Sequence, residues 1–296
     1  MIDGMPLALL VNPSAAHGRA LKLLSQVEAE LDARRVPFRV VRTRDLEDGA
    51  ERALRAAEAG EVPVVLSGDG MVGAIGGALA GSETPLGILP AGRGNDLARV
   101  LGIPTEPAAA VACLLEGHTE RIDVGEANGR RFLGIASAGL DSEANRLANE
   151  SRLLRGNLVY AYAGFRSLVA WKPARFTIQV GDERIRFTGY SVAAANNSTF
   201  GGGMKLAPDA DLRDGEFDVV TIAEHSRWKY AANLHTVFSG RHVENDEVRV
   251  FRTAQLELSA SRPFAVYADG EHLTDLPATL RVLPRALSVV VPRRPE

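Results

Sequence analysis

Apolar positions in the first third of the chain fall into short continuous runs separated by stretches with helical period. Leu7 to Val11, Phe38 to Val41, Pro63 to Leu66 and Leu86 to Leu89 are runs of the buried-strand type. Between them, Ala20 to Arg35 places Leu21, Leu24, Val27 and Leu31 on one helical face. Asp48 to Ala59 is an alanine-rich helix, Val72 to Ala80 another, and Pro107 to Leu115 a further one. Single helices joining successive strands predict a doubly wound parallel sheet.

The pattern changes near Arg121. Arg121 to Ala127, Arg131 to Ser137, Phe176 to Val180, Arg184 to Tyr190, Ser191 to Ala195 and Phe217 to Ile222 read as strands. Asn128-Gly129 and Gly181-Asp182 lie between such pairs, as hairpin turns do. Helical stretches are expected over Leu153 to Trp171 and Trp228 to Ser239. Strands resume at Val248 to Phe251, Gln255 to Ser259, Phe264 to Ala268 and Ala278 to Val282. The expectation is an α/β domain over residues 1–120 and an antiparallel sandwich or barrel over 121–283. Residues 284–296 are expected to return to the first domain, with Val289 to Val291 as the returning strand. No flexible linker separates the two parts, so they should share a cleft.

Composition narrows the classes. The chain has 296 residues, 46% hydrophobic and 24% charged, enough for two ordinary cores. Its net charge of -3 and dispersed arginines point to no nucleic-acid partner. A single cysteine, Cys113, excludes an internal disulfide and lies in an apolar stretch, as a buried thiol would. No signal segment or bilayer-length apolar run is visible, so the expected place is the cytoplasm, with peripheral contact at the inner membrane face. A homodimer stays open.

The candidate chemistry lies in turns marked by glycine or acid. Val64-Val65-Leu66-Ser67-Gly68-Asp69-Gly70 is an apolar strand ending in Gly-Asp-Gly, at the sheet edge where open α/β folds bind ligands. Glycine there lets backbone N–H groups approach phosphate, and Asp69 can face a metal or a reacting hydroxyl. Asn12-Pro13-Ser14, running on to Arg19, offers a helix N-terminus to phosphate, or a plain turn. Pro90-Ala91-Gly92-Arg93-Gly94-Asn95-Asp96 is a third loop of this kind. Leu206 to Glu216 crowds Asp209, Asp211, Asp214 and Glu216 into one turn, which suits a hard cation or a solvated loop. Asp269-Gly270-Glu271 follows a late strand and could supply a general base or simply turn a hairpin.

These segments together resemble the diacylglycerol kinase-like lipid kinases, a group that includes sphingosine and ceramide kinases. Val11-Asn12-Pro13, Ser67 to Gly70, Pro90 to Asp96, Ile122-Asp123-Val124-Gly125, Asn196-Asn197 with Gly202-Gly203, Leu206 to Gly215 and Asp269 to Glu271 occur in family order over nearly the whole chain. The resemblance implies a nucleotide-binding domain, a β-sandwich and transfer of the γ-phosphoryl group of ATP to a lipid hydroxyl with Mg2+. It implies ATP contacts at Asn12, Pro13, Ser14, Arg19, Thr43, Gly68, Asp69, Gly70, Gly92, Arg93, Gly94 and Asn95. It implies Glu271 as the proton acceptor with Asp269 as rival. It puts a structural magnesium on the Asp214 carboxylate with the backbone oxygens of Asp211 and Glu216. It makes Asp69 and Asp123 organisers of the catalytic metal.

Four positions depart from the family. Met71 stands where threonine is usual, Gly73-Ala74 where an Asn-Glu pair is usual, and Arg93 where the loop carries threonine. Met71 and Arg93 leave open a catalytically silent lipid- or nucleotide-binding homologue. A relative of the NAD kinases is a further alternative, disfavoured by the Leu206 to Gly215 loop. The apolar, arginine-dotted stretch Leu153 to Trp171 could pack on the sandwich or meet a membrane lipid acceptor.

Overall fold

A computed structural model describes residues 4–13, 19–140, 142–143 and 171–293. The first domain is a parallel sheet of β1 (Leu7–Val11), β2 (Phe38–Arg42), β3 (Val62–Ser67) and β4 (Gly87–Pro90) in the order β2-β1-β3-β4. Residues of β1 and β3 alternate between two cores, which is what a strand covered on both faces requires. Leu7, Leu9, Val62, Val64 and Leu66 pack with α1 (Arg19–Ala33) and α5 (Pro107–Glu116). Ala8, Leu10 and Val65 pack with α2 (Leu46–Glu58), α3 (Asp69–Leu79) and α4 (Asp96–Val100).

The second domain is an antiparallel, sandwich-like sheet of eleven strands. They are β5 (His118–Ala127), β6 (Arg130–Phe132), β7 (Ile135–Gly139), β8 (Ala174–Val180), β9 (Glu183–Ala195), β10 (Phe217–Ala223), β11 (Val248–Thr253), β12 (Gln255–Ala260), β13 (Ala265–Ala268), β14 (Glu271–Asp275) and β15 (Ala278–Val291). The main path runs β14-β13-β7-β9-β8-β12-β15-β5-β6, with β10 and β11 branching from β9. Phe132, Phe176, Tyr190 and Phe217 fill its core. The sheet curls until its ends meet: Arg130 on β6 donates to the Leu273 carbonyl on β14 at 3.0 Å. A short helix, α6 (Arg227–Asn233), and the 3₁₀ turns Leu234–Phe238 and Arg241–Glu244 lie between β10 and β11.

Two contacts weld the domains. β15 continues past a register shift between Leu283 and Leu287, and Val289 bridges in parallel to Leu86 beside β4. The Leu86 N–H donates to the Ser288 carbonyl at 2.8 Å, and Val290 N–H returns a bond to Leu86 at 3.0 Å. The second contact is α3. Its glycines leave one flank flat, and Leu133 lies against Gly76 while Arg131 lies against Gly77. Arg131 also donates to the Gly77 and Ala80 carbonyls, each at 3.0 Å, closing the helix's carboxyl end with a cation. Each interior glycine costs a helix about 1 kcal/mol against alanine; here that cost opens the space the second domain occupies.

Several expected boundaries shift. Arg131 to Ser137 is two strands, Glu183 to Ala195 is one, and Ala278 to Val291 is one. The helix expected over Trp228 to Ser239 is α6 followed by a 3₁₀ turn. The stretch expected as a helix from Leu153 lies outside the described residues, apart from Trp171. That residue is buried against Tyr190 and Phe264.

Candidate active site

The carboxyl ends of β1 and β3 face the crevice where strand order reverses, the usual ligand position in such sheets. Gly68 is the N-cap of α3, so Asp69 and Gly70 form the first helical turn rather than a free turn. The N–H groups of that turn face outward as at any helix start, a ready anion site. Gly68 and Gly92 press backbone to backbone, and a Cβ on Gly68 would lie 3.1 Å from the Gly92 Cα. Side chains at either position would force the two loops apart.

Asp69 holds the neighbouring loop. Its carboxylate accepts the Asn95 N–H at 2.8 Å and the Asp96 N–H at 2.6 Å, capping α4 from another segment. Asn95 adopts φ +49° and turns its amide back on Gly92, accepting from the Gly92 N–H at 2.8 Å. Arg19 donates to the Gly92 carbonyl at 3.2 Å. Thr43 follows β2, is buried, and its N–H donates to Val11 at 2.9 Å. The Thr43 hydroxyl is a buried polar atom with no hydrogen-bond partner among the described residues. Asn12 and Pro13 border this crevice after β1, Ser14 lies outside the described residues, and Arg93 is exposed on the loop rim.

The second domain brings its own acids to α3. The β13–β14 hairpin turns through Asp269 and Gly270 at φ +53° and +84°. Asp269 accepts the Leu133 and Gly134 N–H groups, each at 2.9 Å, and so ties the two ends of the curled sheet together. A Cβ at Gly73 would lie 2.7 Å from Asp269 Oδ2. The glycine at this departure from the family pattern therefore admits the carboxylate. Burial, opposed by those two N–H groups and helped by the charges of Asp69 and Asp96, pushes the Asp269 carboxyl up to about 6. Each of its oxygens accepts one backbone N–H. Glu271, two residues on, is exposed and reaches over the start of α3: a Cβ at Gly70 would lie 3.4 Å from its Oε1. Desolvation raises its carboxyl too.

Asp96 is a residue that pattern reasoning left unassigned. It accepts the Gly202 N–H at 3.0 Å, joining the glycine loops of the two domains. Burial raises its carboxyl, against the Gly202 bond and with Asp69's charge. An Asn-Asp pair just before an apolar helix was the available signal.

The remaining acids expected at metal positions sit in a second network. Asp123 is fully buried, accepting the Gly215 N–H at 2.7 Å and the Arg285 N–H at 2.6 Å. Its charge serves the 211–216 loop and the β15 bulge, where Arg285 takes φ +49°. The acidic loop itself is braced by arginine. Arg213 forks onto Glu120 and pairs with Asp211 at 3.0 Å, while Arg252 pairs with Asp218 at 2.9 Å and faces Asp214 at 3.7 Å. Asp214 also accepts the Glu216 N–H at 3.0 Å. Asp211 and Asp214 thus have protein partners. Among the described residues, no three His, Cys, Asp or Glu side chains gather as a metal cluster.

Met71 does not enter the crevice. It is buried between α3 and α2, where Gly49 makes room for its sulfur.

The chain matches two family profiles: "Diacylglycerol kinase catalytic domain" over residues 6–127 and "YegS C-terminal NAD kinase beta sandwich-like domain" over 134–291. It is 36% identical to a Mycobacterium tuberculosis diacylglycerol kinase over 292 residues, covering 96% of this chain and 94% of the relative. It is 25% identical to the Bacillus subtilis diacylglycerol kinase over 290 residues, covering 96% of each. A solved structure of a Bacillus anthracis diacylglycerol kinase shares the fold at TM-score 0.76 and 19% identity, covering 97% of both chains. The chain belongs to the diacylglycerol kinase-like lipid kinase family. It is a kinase.

Proposed function

We propose that the protein transfers the γ-phosphoryl group of ATP to a hydroxyl of diacylglycerol or a related membrane lipid, with Mg2+. The observation that carries this reading is the meeting of Glu271 with Gly70. An open carboxylate of one domain lies over the anion-binding helix start of the other. Bound Mg2+ and ATP would supply the phosphoryl group and neutralise its developing charge. The chain's own part is positioning. Gly68 and Gly70 leave backbone N–H groups of the helix start accessible, Gly92 lets the two loops close, Asp69 fixes the Asn95–Asp96 loop, and Asn12, Pro13, Arg19, Thr43 and Gly94 border the space. Glu271 takes the proton of the acceptor hydroxyl on a carboxylate oxygen, and its raised carboxyl suits a base working near neutral pH. Asp269 holds the turn that carries it.

The test is a phosphorylation assay on a lipid extract with labelled ATP and magnesium, run on the wild type and Glu271→Gln. Label in a lipid that disappears with the variant supports the reading. Label in a water-soluble nucleotide, or in no product, overturns it.

A further inference from the structure

The two acids of the β13–β14 turn meet α3 at positions one helical turn apart. A Cβ at Gly70 would lie 3.4 Å from Glu271 Oε1, and a Cβ at Gly73 would lie 2.7 Å from Asp269 Oδ2. Residues three apart share a helix face, so the depth at which Asp269 sits against Gly73 sets how Glu271 stands over Gly70. Asp269 has little freedom to yield. It holds φ +53°, a conformation that side chains rarely adopt, and each carboxylate oxygen accepts a backbone N–H.

The opposite wall belongs to the second domain. A Cβ at Gly134 would run into Asp269 Oδ1, so the carboxylate fills a slot between two glycines, one from each domain. Asn196, fully buried, braces that wall from behind. Its N–H donates to the Gly134 carbonyl at 3.1 Å, and its Nδ2 donates to the Leu133 and Asp123 carbonyls, each at 3.0 Å. Leu133 and Gly134 thus turn their carbonyls to Asn196 and their N–H groups to Asp269. The Asn196 Oδ1 is buried with no hydrogen-bond partner among the described residues, which costs stability. An aliphatic side chain would avoid that cost but could not fix the two carbonyls.

We propose that Gly73, Gly134 and Asn196 are positioning residues: they form the slot that seats Asp269 and so hold Glu271 over the start of α3. The glycine that departs from the family's Asn-Glu pair is then a requirement of this chain's site. Restoring the usual asparagine should damage it. The proposal rests on the reading of Glu271 as the base.

Turnover and KM for ATP are measured on a lipid extract dispersed in detergent, with ATP and magnesium. Gly73→Ala and Gly73→Asn should each lower kcat about ten- to a hundredfold, the scale of a misplacement of about 1 Å, with KM for ATP nearly unchanged. Asn196→Asp keeps the shape, loses the donor and should act in the same direction. Asp269→Ala removes the group that fills the slot, so adding Gly73→Ala or Asn196→Asp to it should cost nothing further. Unchanged kcat in both Gly73 variants, losses that multiply with that of Asp269→Ala, or a Gly73→Asn enzyme faster than wild type each overturn the proposal. Where Gly73→Ala fails to fold, recovery of the fold on adding Asp269→Ala supports the slot, and no recovery overturns it. Glu271→Gln separates the two readings. If it lowers kcat and the Gly73 variants do not, the slot falls and the base reading stands. If it keeps full turnover while the Gly73 variants lose theirs, the base reading falls and the slot stands, serving Asp269.

Discussion

Two segments of this chain carry the same residue types, glycines among carboxylates, and use them oppositely. At Gly68 to Gly70 and Gly92 to Asp96, the glycines bring two loops into backbone contact, and Asp69 spends its charge on N–H groups of a neighbouring segment. The second domain then adds Asp269 and Glu271 to the same place. At Asp209 to Glu216, the carboxylates meet Arg213 and Arg252 instead, and Asp123 anchors the loop from beneath. Acid plus glycine therefore does not mark a reaction site by itself. What distinguishes the first segment is that Asp69 and Asp269 rest on backbone N–H groups rather than on arginine forks, and burial raises Asp96, Asp269 and Glu271.

The contrast can be broken most directly at Glu271. Glu271→Gln should lower turnover about a hundred- to ten-thousand-fold, the usual range for a lost general base, with ATP affinity retained. Stopped-time assays beside nucleotide titration check this; full activity would move the site elsewhere. Asp123→Ala should act on folding instead. Losing hydrogen bonds to a buried charge costs about 1.5–3 kcal/mol each, so two lost bonds predict a melting temperature lower by about 6–12 °C. Turnover per folded molecule should barely change. A normal melt with lost activity would return Asp123 to the chemistry.

A third test uses pH. An ordinary aspartate titrates near 4, and Asp269 is raised to about 6 in the fold. The native state thus keeps a proton that the unfolded chain has lost between these values. Stability should fall as pH rises from about 4 to about 6, and Asp269→Asn should flatten that slope in denaturant titrations. Arg93→Thr should change the dissociation constant for ATP by about tenfold, the scale of one charged hydrogen bond. Calorimetry that gives equal constants would remove Arg93 from the nucleotide site. The smallest effect should come from chelation. EDTA without nucleotide should leave the melting temperature unchanged, because arginines already neutralise the 211–216 loop. A clear drop would put a metal there.

Much of the fold was legible because its signals are local. Continuous apolar runs marked β1, β3 and β4, and Asn128-Gly129 marked a hairpin with both residues at positive φ. What escaped depends on distant partners. α4 is five residues long, and Asp69, far back in the chain, caps it. β14 is the polar sequence Glu-His-Leu-Thr-Asp, a strand only because β13 pairs with it. β15 passes its bulge at Arg285 because Asp123 takes the Arg285 N–H. At the site, the glycine loops were readable as a group. The role of Gly73 was not, since it depends on a carboxylate almost two hundred residues later. Met71 looked like a defect in the nucleotide loop, and only the packing of α2 on α3 shows where its side chain goes.

The bridge between Leu86 and Val289 has a consequence for how the molecule is made. The edge of the parallel sheet beside β4 stays bare on the ribosome until residues 286–291 emerge, long after the rest of that sheet. The first domain cannot finish early and wait. Its last partner is also the strand that zips along β5, so the two halves should reach the native state in one late, joint step. A nascent chain stalled before that point presents an unpaired apolar edge, the state most exposed to aggregation and to chaperones.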